Sequence, residues 1–231
     1  DVLADVTFQV LKAGYRRGYG ADGDHLKNAH DILAAIADGV TMITLDCSEH
    51  IHCERTAAPV SDERRARYLS GEIAVGAHRL RFTPETLALA EAIFGEAIAF
   101  AIDIYHRCIE GSAVDFEISM DETDLSTTPE QHYFVANELR LAGIPFVTLA
   151  PRFCGEFQKG VDYIGDLAQF DREIVVHAAI ADALGYKLSI HSGSDKFSVF
   201  SAIGRATGER FHAKTSGTSW LEAMRLVAQK D

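Results

Sequence analysis

The sequence has few cysteines and no long apolar segment. Its four cysteines are widely spaced and form no CxxC pair, which argues against a disulfide framework and against a thiolate zinc knuckle. No segment approaches the ~20 consecutive apolar residues that a membrane-spanning helix needs. The first residues also lack the charged and apolar regions of a secretory signal peptide. We therefore expect a cytoplasmic protein with reduced thiols and no membrane partner.

Basic residues are outnumbered by acidic ones. The chain has 22 lysines and arginines against 34 aspartates and glutamates, which gives a formal net charge of −12. Such a charge repels a polyanion, so we expect no nucleic-acid partner. If the substrate is a small anion, local cations or a metal ion must create its binding site.

The chain is long enough to bury one sizeable core. Its 231 residues, 47% of them hydrophobic, suit a single large domain that spans residues 1–231. The first residue is not methionine, and no recognisable terminal element closes the chain. We therefore expect the sequence to be part of a longer protein and to be inactive or weakly active alone.

Strand-like and helix-like patterns alternate along the chain. The predicted helices are Leu3–Ala13, Leu26–Ala37, Thr83 to about Ile109, Thr128 to Gly143, Asp171–Leu184 and a last one from about Thr218. The predicted strands are Gly18–Ala21, Val40–Leu45, Val114–Met120, Ile144–Ala150, Tyr186–Ile190 and a short one at Phe211. Residues 49–82 are first charged and irregular and then alternate like a small hairpin, so we interpret them as an insertion within the domain.

This order of about six βα units predicts an α/β fold with a parallel sheet. Parallel strands need crossover connections, and the two common solutions are an open doubly wound sheet and a barrel. A dinucleotide-binding sheet would need a GxGxxG turn that opens its first helix, and none stands there. We therefore expect a TIM-barrel-like fold, incomplete because six or seven strands fall short of eight.

Polar clusters follow the last two predicted strands. Residues His191–Lys196 read His-Ser-Gly-Ser-Asp-Lys, and residues His212–Thr218 read His-Ala-Lys-Thr-Ser-Gly-Thr. Each cluster combines an imidazole that can bind a metal, a turn of small residues and a lysine. Active sites of parallel β/α folds are built at the carboxyl ends of strands. The two clusters therefore predict an enzyme active site.

Six segments carry a family resemblance: Ala21–Lys27, Glu117–Asp124, Leu149–Phe153, Lys159–Leu167, Leu188–Val199 and His212–Ser219. Together they resemble the metal-dependent tagaturonate epimerase family. The match is dense from Asp115 to Met224 and patchier before Phe82. Members of the family are considerably longer than 231 residues, so the chain resembles an interior portion of them.

The resemblance implies an isomerase of hexuronate catabolism. Members of the family interconvert D-tagaturonate and D-fructuronate, two keto sugar acids, and use a divalent metal. The partner implied for this chain is therefore a small-molecule keto sugar acid.

A shared metal site is predicted at His25, His191 and His212. Epimerisation of a hydroxyl-bearing carbon requires proton removal or reversible cleavage of a neighbouring bond, and both build negative charge on a carbonyl oxygen. A metal ion stabilises that charge as a Lewis acid. Neutral imidazole suits zinc, nickel, iron or manganese. A single strand-end histidine is usually a packed one, but three at corresponding strand ends favour a common metal.

Two carboxylates are predicted to transfer protons, and they differ in their position relative to the strands. Asp24 directly precedes His25, and Glu122 ends the acidic segment after a strand. In different environments their pKa values can differ, so that one acts as acid and the other as base. Asp121 is an alternative to Glu122, because neighbouring strand residues point to opposite faces. Asp121 shares its face with Glu117, where it could instead orient a ligand histidine.

The predicted substrate-binding residues supply cations and hydroxyl partners. Arg152 can grip a carboxylate with two hydrogen bonds. Lys196 and Lys214 supply point charges, and Ser192 and Asp195 can contact sugar hydroxyls. Two other functions fit the same residues: a metal-dependent aldolase that acts on a related keto sugar acid, and a non-catalytic protein that binds a sugar acid.

Overall fold

A computed structural model describes residues 2–215 and 224–229, so the last predicted helix, from about Thr218, begins outside the described residues. The strands are β1 Asp22–Leu26, β2 Met42–Asp46, β3 Ile73–Val75, β4 His78–Leu80, β5 Asp115–Ser119, β6 Thr148–Ala150, β7 Lys187–Ile190 and β8 Phe211–Ala213. The helices are α1 Val2–Lys12, α2 Ala29–Asp38, α3 Asp62–Tyr68, α4 Pro84–Ile104, α5 Pro129–Leu141, α6 Leu167–Leu184 and α7 Phe197–Thr207.

Six strands form one parallel sheet in the order β1-β2-β5-β6-β7-β8, and helices flank it. The sheet curls strongly, so that its two edges approach each other. Lys214, which directly follows β8, forms a 2.9 Å ion pair with Asp22 in β1, the strand at the opposite edge. The result is a parallel half-barrel. This confirms the predicted incomplete TIM-barrel-like fold.

Several helix boundaries follow directly from capping residues. Thr83 and Thr128 each close a reciprocal capping box, and a proline occupies the first turn of the helix that follows. The predicted starts of α4 and α5 are therefore confirmed. At the other end of α6, Gly185 caps the helix in the left-handed conformation (φ 77°), as its position after the helical pattern predicts.

The first strand lies elsewhere than predicted. The structure places β1 at Asp22–Leu26 rather than at residues 18–21, and α2 begins only after the N-cap residue Asn28. The sequence Asp-Gly-Asp-His-Leu has no apolar alternation, because Asp22 and Asp24 point to the polar concave face and Leu26 is its one apolar side chain packed against the core. Gly18, Gly20 and Gly23 do have GxGxxG spacing, but the first two precede β1 and the third lies within it, so they form no strand-to-helix turn.

The segment between β2 and α4 contains more structure than predicted. The hairpin predicted within residues 71–82 is confirmed as β3 and β4. The short helix α3 was not predicted, since its surface is highly charged. Its charges are paired: Arg64 and Arg67 each donate to the buried carboxylate of Glu138 on α5, at 2.7 Å. The hydroxyl of Tyr68 donates to the same carboxylate at 2.8 Å, so α3 is attached to α5 by polar contacts.

Alternation along β5 separates the core from the concave face of the sheet. Phe116 and Ile118 are buried in the apolar core, whereas Glu117 and Ser119 point to the opposite face. Helix α4 is apolar nearly all round and largely buried, as predicted. No helix among the described residues is long and apolar enough to cross a membrane. The polar residues of the concave face form the candidate site.

Candidate functional site

Glu117 lies at the centre of the concave face and is fully buried. Nε2 of His191 donates to its Oε1 at 2.6 Å, and Nδ1 of His212 donates to its Oε2 at 2.8 Å. The hydroxyl of Thr148 also donates to this carboxylate, and the hydroxyl of Thr44, which donates to Asp22 at 2.7 Å, lies 3.4 Å from it. Strands β2, β5, β6 and β8 and the end of β7 thus contribute to one hydrogen-bond network.

The network fixes the charges of its two central groups. Burial alone would raise the pKa of Glu117, but the hydrogen bonds from His191 and His212 lower it well below its usual range. Burial lowers the pKa of His191, yet the carboxylates of Asp121 and Glu117 outweigh this effect and raise it to about 9. Glu117 is therefore ionised at neutral pH, and His191 holds a positive charge unless a metal ion replaces its second proton.

The second nitrogen of His191 is in an unusual position. Nδ1 is buried 2.8 Å from Oδ1 of Asp121, but the geometry is too poorly aligned for a hydrogen bond. With Nε2 protonated toward Glu117, a neutral His191 would face Asp121 with one lone pair opposite another. A cation between these atoms, either a proton or a metal ion, is needed to make the contact favourable.

His25 is the penultimate residue of β1 and lies beside this pair. Its backbone has φ 52°, an uncommon conformation for a residue with a side chain. Its Nδ1 lies 3.4 Å from Asp46 and 3.8 Å from Glu122, and one ligand atom from each of the three residues lies within 4.8 Å of the others. The hydrogen bond with Asp46 raises the pKa of His25. The rings of His25 and His191 are 5.1 Å apart.

Lys214 is held by acidic partners. Its ammonium forms ion pairs with Asp22, at 2.9 Å, and with Asp24, and it donates to the hydroxyl of Thr44 at 2.8 Å. Burial lowers its pKa, but Asp24 and Asp22 raise it above the ordinary value. Lys214 is therefore a charged group whose charge is largely compensated.

A cavity of about 100 Å³ opens over these groups. Its lining residues are Asp24, His25, Asp121, Glu122, Lys159, His191, Ser192, Lys214 and Thr215. A smaller cavity of about 40 Å³ shares Asp121, His191 and Ser192 with it and adds Arg152. Two carboxylates flank His25 in the larger cavity: Asp24 lies 3.8 Å from Nε2, and Glu122 lies 3.8 Å from Nδ1.

Comparison with known proteins gives the context of this site. A model of the tagaturonate epimerase family matches residues 1–231. The chain belongs to this family. It is 43% identical to the tagaturonate/fructuronate epimerase of Thermotoga maritima, over 99% of the chain and 50% of that protein.

Solved structures of the family are similar. The native crystal structure of the fructuronate-tagaturonate epimerase UxaE from Cohnella laeviribosi has a TM-score of 0.90 and 52% identity, over 96% of this chain and 48% of that one. A complex of the same enzyme with two glycerols has a TM-score of 0.91 and 51% identity, over 96% and 49%. The chain spans about half the length of these epimerases.

The structure brings together most of the site residues expected of a family member. Asp24, His25, Glu122, His191 and Lys214 line one cavity with Ser192, and Arg152 lines the adjoining one. His212 lies behind them, on the far oxygen of Glu117. Of the three histidines predicted to share a metal, only His25 belongs to the compact group with Asp46 and Glu122.

The expectation for Lys196 is corrected by the structure. Its side chain is fully buried, and its ammonium donates to the main-chain carbonyls of Gln158, Val161 and Ser194 at 2.5 to 2.7 Å. An ammonium has three hydrogens, so none remains for a substrate. Its neighbour Asp195 adopts φ 59°. Burial lowers the pKa of Lys196, and the negative charge of Asp195 acts in the opposite direction. Asp195 is not among the residues that line either cavity.

Three residues of the site were not assigned a role from the sequence. Glu117 stands between Phe116 and Ile118 in a buried strand, and a charge at such a position is the signal that could have identified it. Asp46 is the last residue of β2, and its charge after a mostly apolar strand is a similar signal. Lys159 lies in a loop, where no strand pattern indicates the direction of the side chain.

Proposed function

We propose that this chain carries the active site of an epimerase that interconverts D-tagaturonate and D-fructuronate. The observation that carries the proposal is the pair of carboxylates on either side of His25, in a cavity that also contains His191 and Lys214. A reaction that inverts one carbon is served by two proton-transfer groups placed apart. The names of the relatives support this substrate pair.

The donor set fits a divalent metal ion. The unaligned Nδ1 of His191 beside Asp121 and the group His25, Asp46 and Glu122 are the observations that support it. His212 would contribute Nε2, because its Nδ1 donates to Glu117. Imidazole and carboxylate together suit zinc, nickel, iron or manganese. When bound, such a metal supplies Lewis-acid stabilisation of negative charge on a substrate carbonyl oxygen.

Asp24 and Glu122 are proposed as the groups that move protons. Asp24 is held by the ammonium of Lys214, which orients its carboxylate at one side of the cavity. Glu122 lies at the other side, more than half exposed, so its carboxylate can exchange protons with solvent. Asp121 accepts a hydrogen bond from the hydroxyl of Ser119 at 2.7 Å and lies at ion-pair distance, 2.8 Å, from His191, and this favours an orienting role for it.

The substrate contacts predicted from the sequence are retained for Arg152, Ser192 and Lys214, which line the two cavities, whereas Asp195 lines neither cavity and stays a prediction from the sequence alone. Arg152 is half-buried, with Nη1 only 3.4 Å from the carbonyl oxygen of Asp121. Ser192 adopts φ 48° directly after His191 and lines both cavities. A cytoplasmic location is also proposed, since all four cysteines are free thiols.

Product analysis tests the proposed function. The complete protein that carries this chain is supplied with each candidate metal in turn and incubated with D-tagaturonate. We expect D-fructuronate to form, and the reverse reaction to return D-tagaturonate, with the carbon skeleton intact. Three-carbon products would instead indicate an aldolase, and binding of the acid without any conversion would indicate a sensor. Either result would overturn the proposal.

A further inference from the structure

The cationic side chains around the cavity differ in whether they already have ion-pair or hydrogen-bond partners. Lys214 is paired with Asp22 and Asp24, and Lys196 is buried on carbonyl oxygens. Arg152 lines the adjoining cavity and not the main one, and its Nη1 is directed to the main-chain carbonyl of Asp121 at 3.4 Å, so we place it beside another part of the substrate. Lys159 lines the main cavity, its side chain is exposed, and within residues 2–215 and 224–229 it makes no hydrogen bond or ion pair.

The loop that carries Lys159 is held on both sides of this residue. Lys196 donates to the carbonyl of Gln158 at 2.6 Å and to that of Val161 at 2.5 Å. It also binds the carbonyl of Ser194 at 2.7 Å, in the turn that follows His191. Gly160 adopts φ 73° in the loop, a left-handed conformation that glycine adopts without strain. The buried ammonium thus fixes the backbone around Lys159 relative to the site.

A second contact holds the end of the same loop. Oδ1 of Asp162 accepts from the hydroxyl of Ser198 at 2.9 Å and from the main-chain N–H of Tyr163 at 2.7 Å. The main-chain N–H of Ser198, in the first turn of α7, also donates to this carboxylate. The loop is therefore attached to α7 independently of Lys196. The backbone on both sides of Lys159 is therefore anchored, whereas its side chain has no hydrogen bond or ion pair with the described part of the chain.

The charges of the cavity decide where an anion can lie. Asp24, Asp121 and Glu122 line it with negative charge, and the positive groups that face them are already paired, Lys214 with Asp24 and His191 with Glu117 and Asp121. A carboxylate placed among these groups would be repelled. Near Lys159 it would meet an unpaired ammonium and could form a charge-assisted hydrogen bond.

We propose that Lys159 recognises the carboxylate of the sugar-acid substrate and that Lys196 is a positioning residue that holds Lys159 over the cavity. This inference rests on the proposed epimerase function and adds the feature that selects acids over neutral sugars. The substrate carboxylate then lies at the loop side of the cavity, and the carbon that is epimerised lies toward His25.

The test compares acids with neutral ketoses in the complete, metal-supplied protein. D-tagatose and D-fructose carry a hydroxymethyl group where D-tagaturonate and D-fructuronate carry a carboxylate. In Lys159→Met we expect kcat/KM for the acids to fall roughly 10- to 100-fold, the scale of one hydrogen bond to a charged group. Binding of the ketoses, measured as turnover or as competitive inhibition, should change less than about twofold. Lys159→Arg should restore much of the loss.

Binding of an unreactive acid gives a readout that does not depend on turnover. In calorimetry with D-gluconate, both Lys159→Met and Lys196→Met should weaken binding, with the metal content unchanged. Asp162→Asn is the milder loop variant and should weaken gluconate binding if Lys196→Met does not fold. The matched control is Lys187→Met, because Lys187 is an exposed lysine at the amino end of β7.

The outcomes separate the two proposals. If the unmodified protein converts tagaturonate and Lys159→Met loses acids and ketoses equally, or loses neither, the role of Lys159 is overturned and the epimerase function stands. If the unmodified protein forms no fructuronate under any metal condition, the proposed function itself fails.

Discussion

Nε2 of His191 donates to Oε1 of Glu117 over 2.6 Å, and both side chains are almost completely shielded from solvent. The same carboxylate accepts from His212 through its other oxygen. One buried group therefore determines which nitrogen of each ring carries its proton. When both rings are neutral, the nitrogens with lone pairs are Nδ1 of His191 and Nε2 of His212, and a metal ion that replaces the second proton of His191 would bind these atoms.

Replacement of this carboxylate by an amide should weaken metal binding. In Glu117→Gln the side chain has one acceptor oxygen and an NH2 group, so one of the two imidazoles loses its acceptor. We expect metal affinity to fall roughly 10- to 100-fold and the free energy of unfolding to fall by about 1–3 kcal/mol. Chelator competition and urea titration measure the two effects. Glu72→Gln, at an exposed glutamate, is the control, and unchanged metal affinity in Glu117→Gln would contradict the role of Glu117.

Single alanine variants of the histidines test the metal site itself. His25→Ala and His191→Ala should lower metal content and activity together, because their rings lie 5.1 Å apart beside the carboxylates. His212→Ala should do the same through loss of Nε2. Elemental analysis of the purified proteins gives the metal content, with the exposed His30→Ala as control. Full metal occupancy in all three variants would refute the site.

The part of the site that the sequence predicts is the part that follows from strand ends. His25, His191 and Glu122 come at or just after the carboxyl ends of parallel strands, and such ends meet at one edge of the sheet. Glu117 was not assigned a role from the sequence, because it does not lie at a strand end. It lies within β5, and only the curl of the sheet brings His191 and His212 to it from strands 74 and 95 residues later.

The roles of the lysines could not be read from their spacing. Lys196 follows a strand in the same way as Lys214, yet one ammonium points into the loop after β6 and the other across the concave face. Which direction a side chain takes depends on which backbone carbonyls or carboxylates lack partners nearby. That information belongs to the folded loop, whose residues are remote in the sequence.

A buried histidine pair on the helical side should make stability depend on pH. Nδ1 of His132 lies 2.9 Å from Nδ1 of His177, and both rings are inaccessible to solvent. Tyr186 bonds the second nitrogen of His132 at 2.6 Å. Burial lowers the pKa of His132 well below its ordinary value and lowers that of His177 to about 4. Both rings are therefore neutral in the folded protein at neutral pH.

The direction of the effect follows from these lowered pKa values. The unfolded chain binds protons on His177 near pH 6.5, before the folded protein does, so stability is lost as the pH falls from about 6.5 toward 4. Between pH 7 and pH 5 the loss from His177 is on the order of 2 kcal/mol. The raised pKa of His191 acts in a separate window, because its contribution is present below about 6.5 and is lost as the pH rises through about 9.

Urea titrations at several pH values measure this effect. In His177→Asn the new amide keeps a hydrogen-bonding atom near His132 but does not titrate, so the loss of unfolding free energy between pH 7 and pH 5 should shrink. His30→Asn removes an exposed histidine, 92% accessible, and should leave the pH dependence unchanged. An identical pH dependence in His177→Asn and the unmodified protein would show that the buried pair does not control it.

The two carboxylates beside His25 are tested by isosteric amides. If Asp24 and Glu122 move protons, Asp24→Asn and Glu122→Gln should keep the metal and most of the substrate affinity while kcat falls by roughly 10²-fold or more. Glu122 also belongs to the group that could hold a metal, so loss of metal in Glu122→Gln would make it a ligand instead. If Glu122→Gln is silent and Asp121→Asn is inactive with the metal retained, the proton-transfer role passes to Asp121, which lies 2.8 Å from His191 and faces the same cavity.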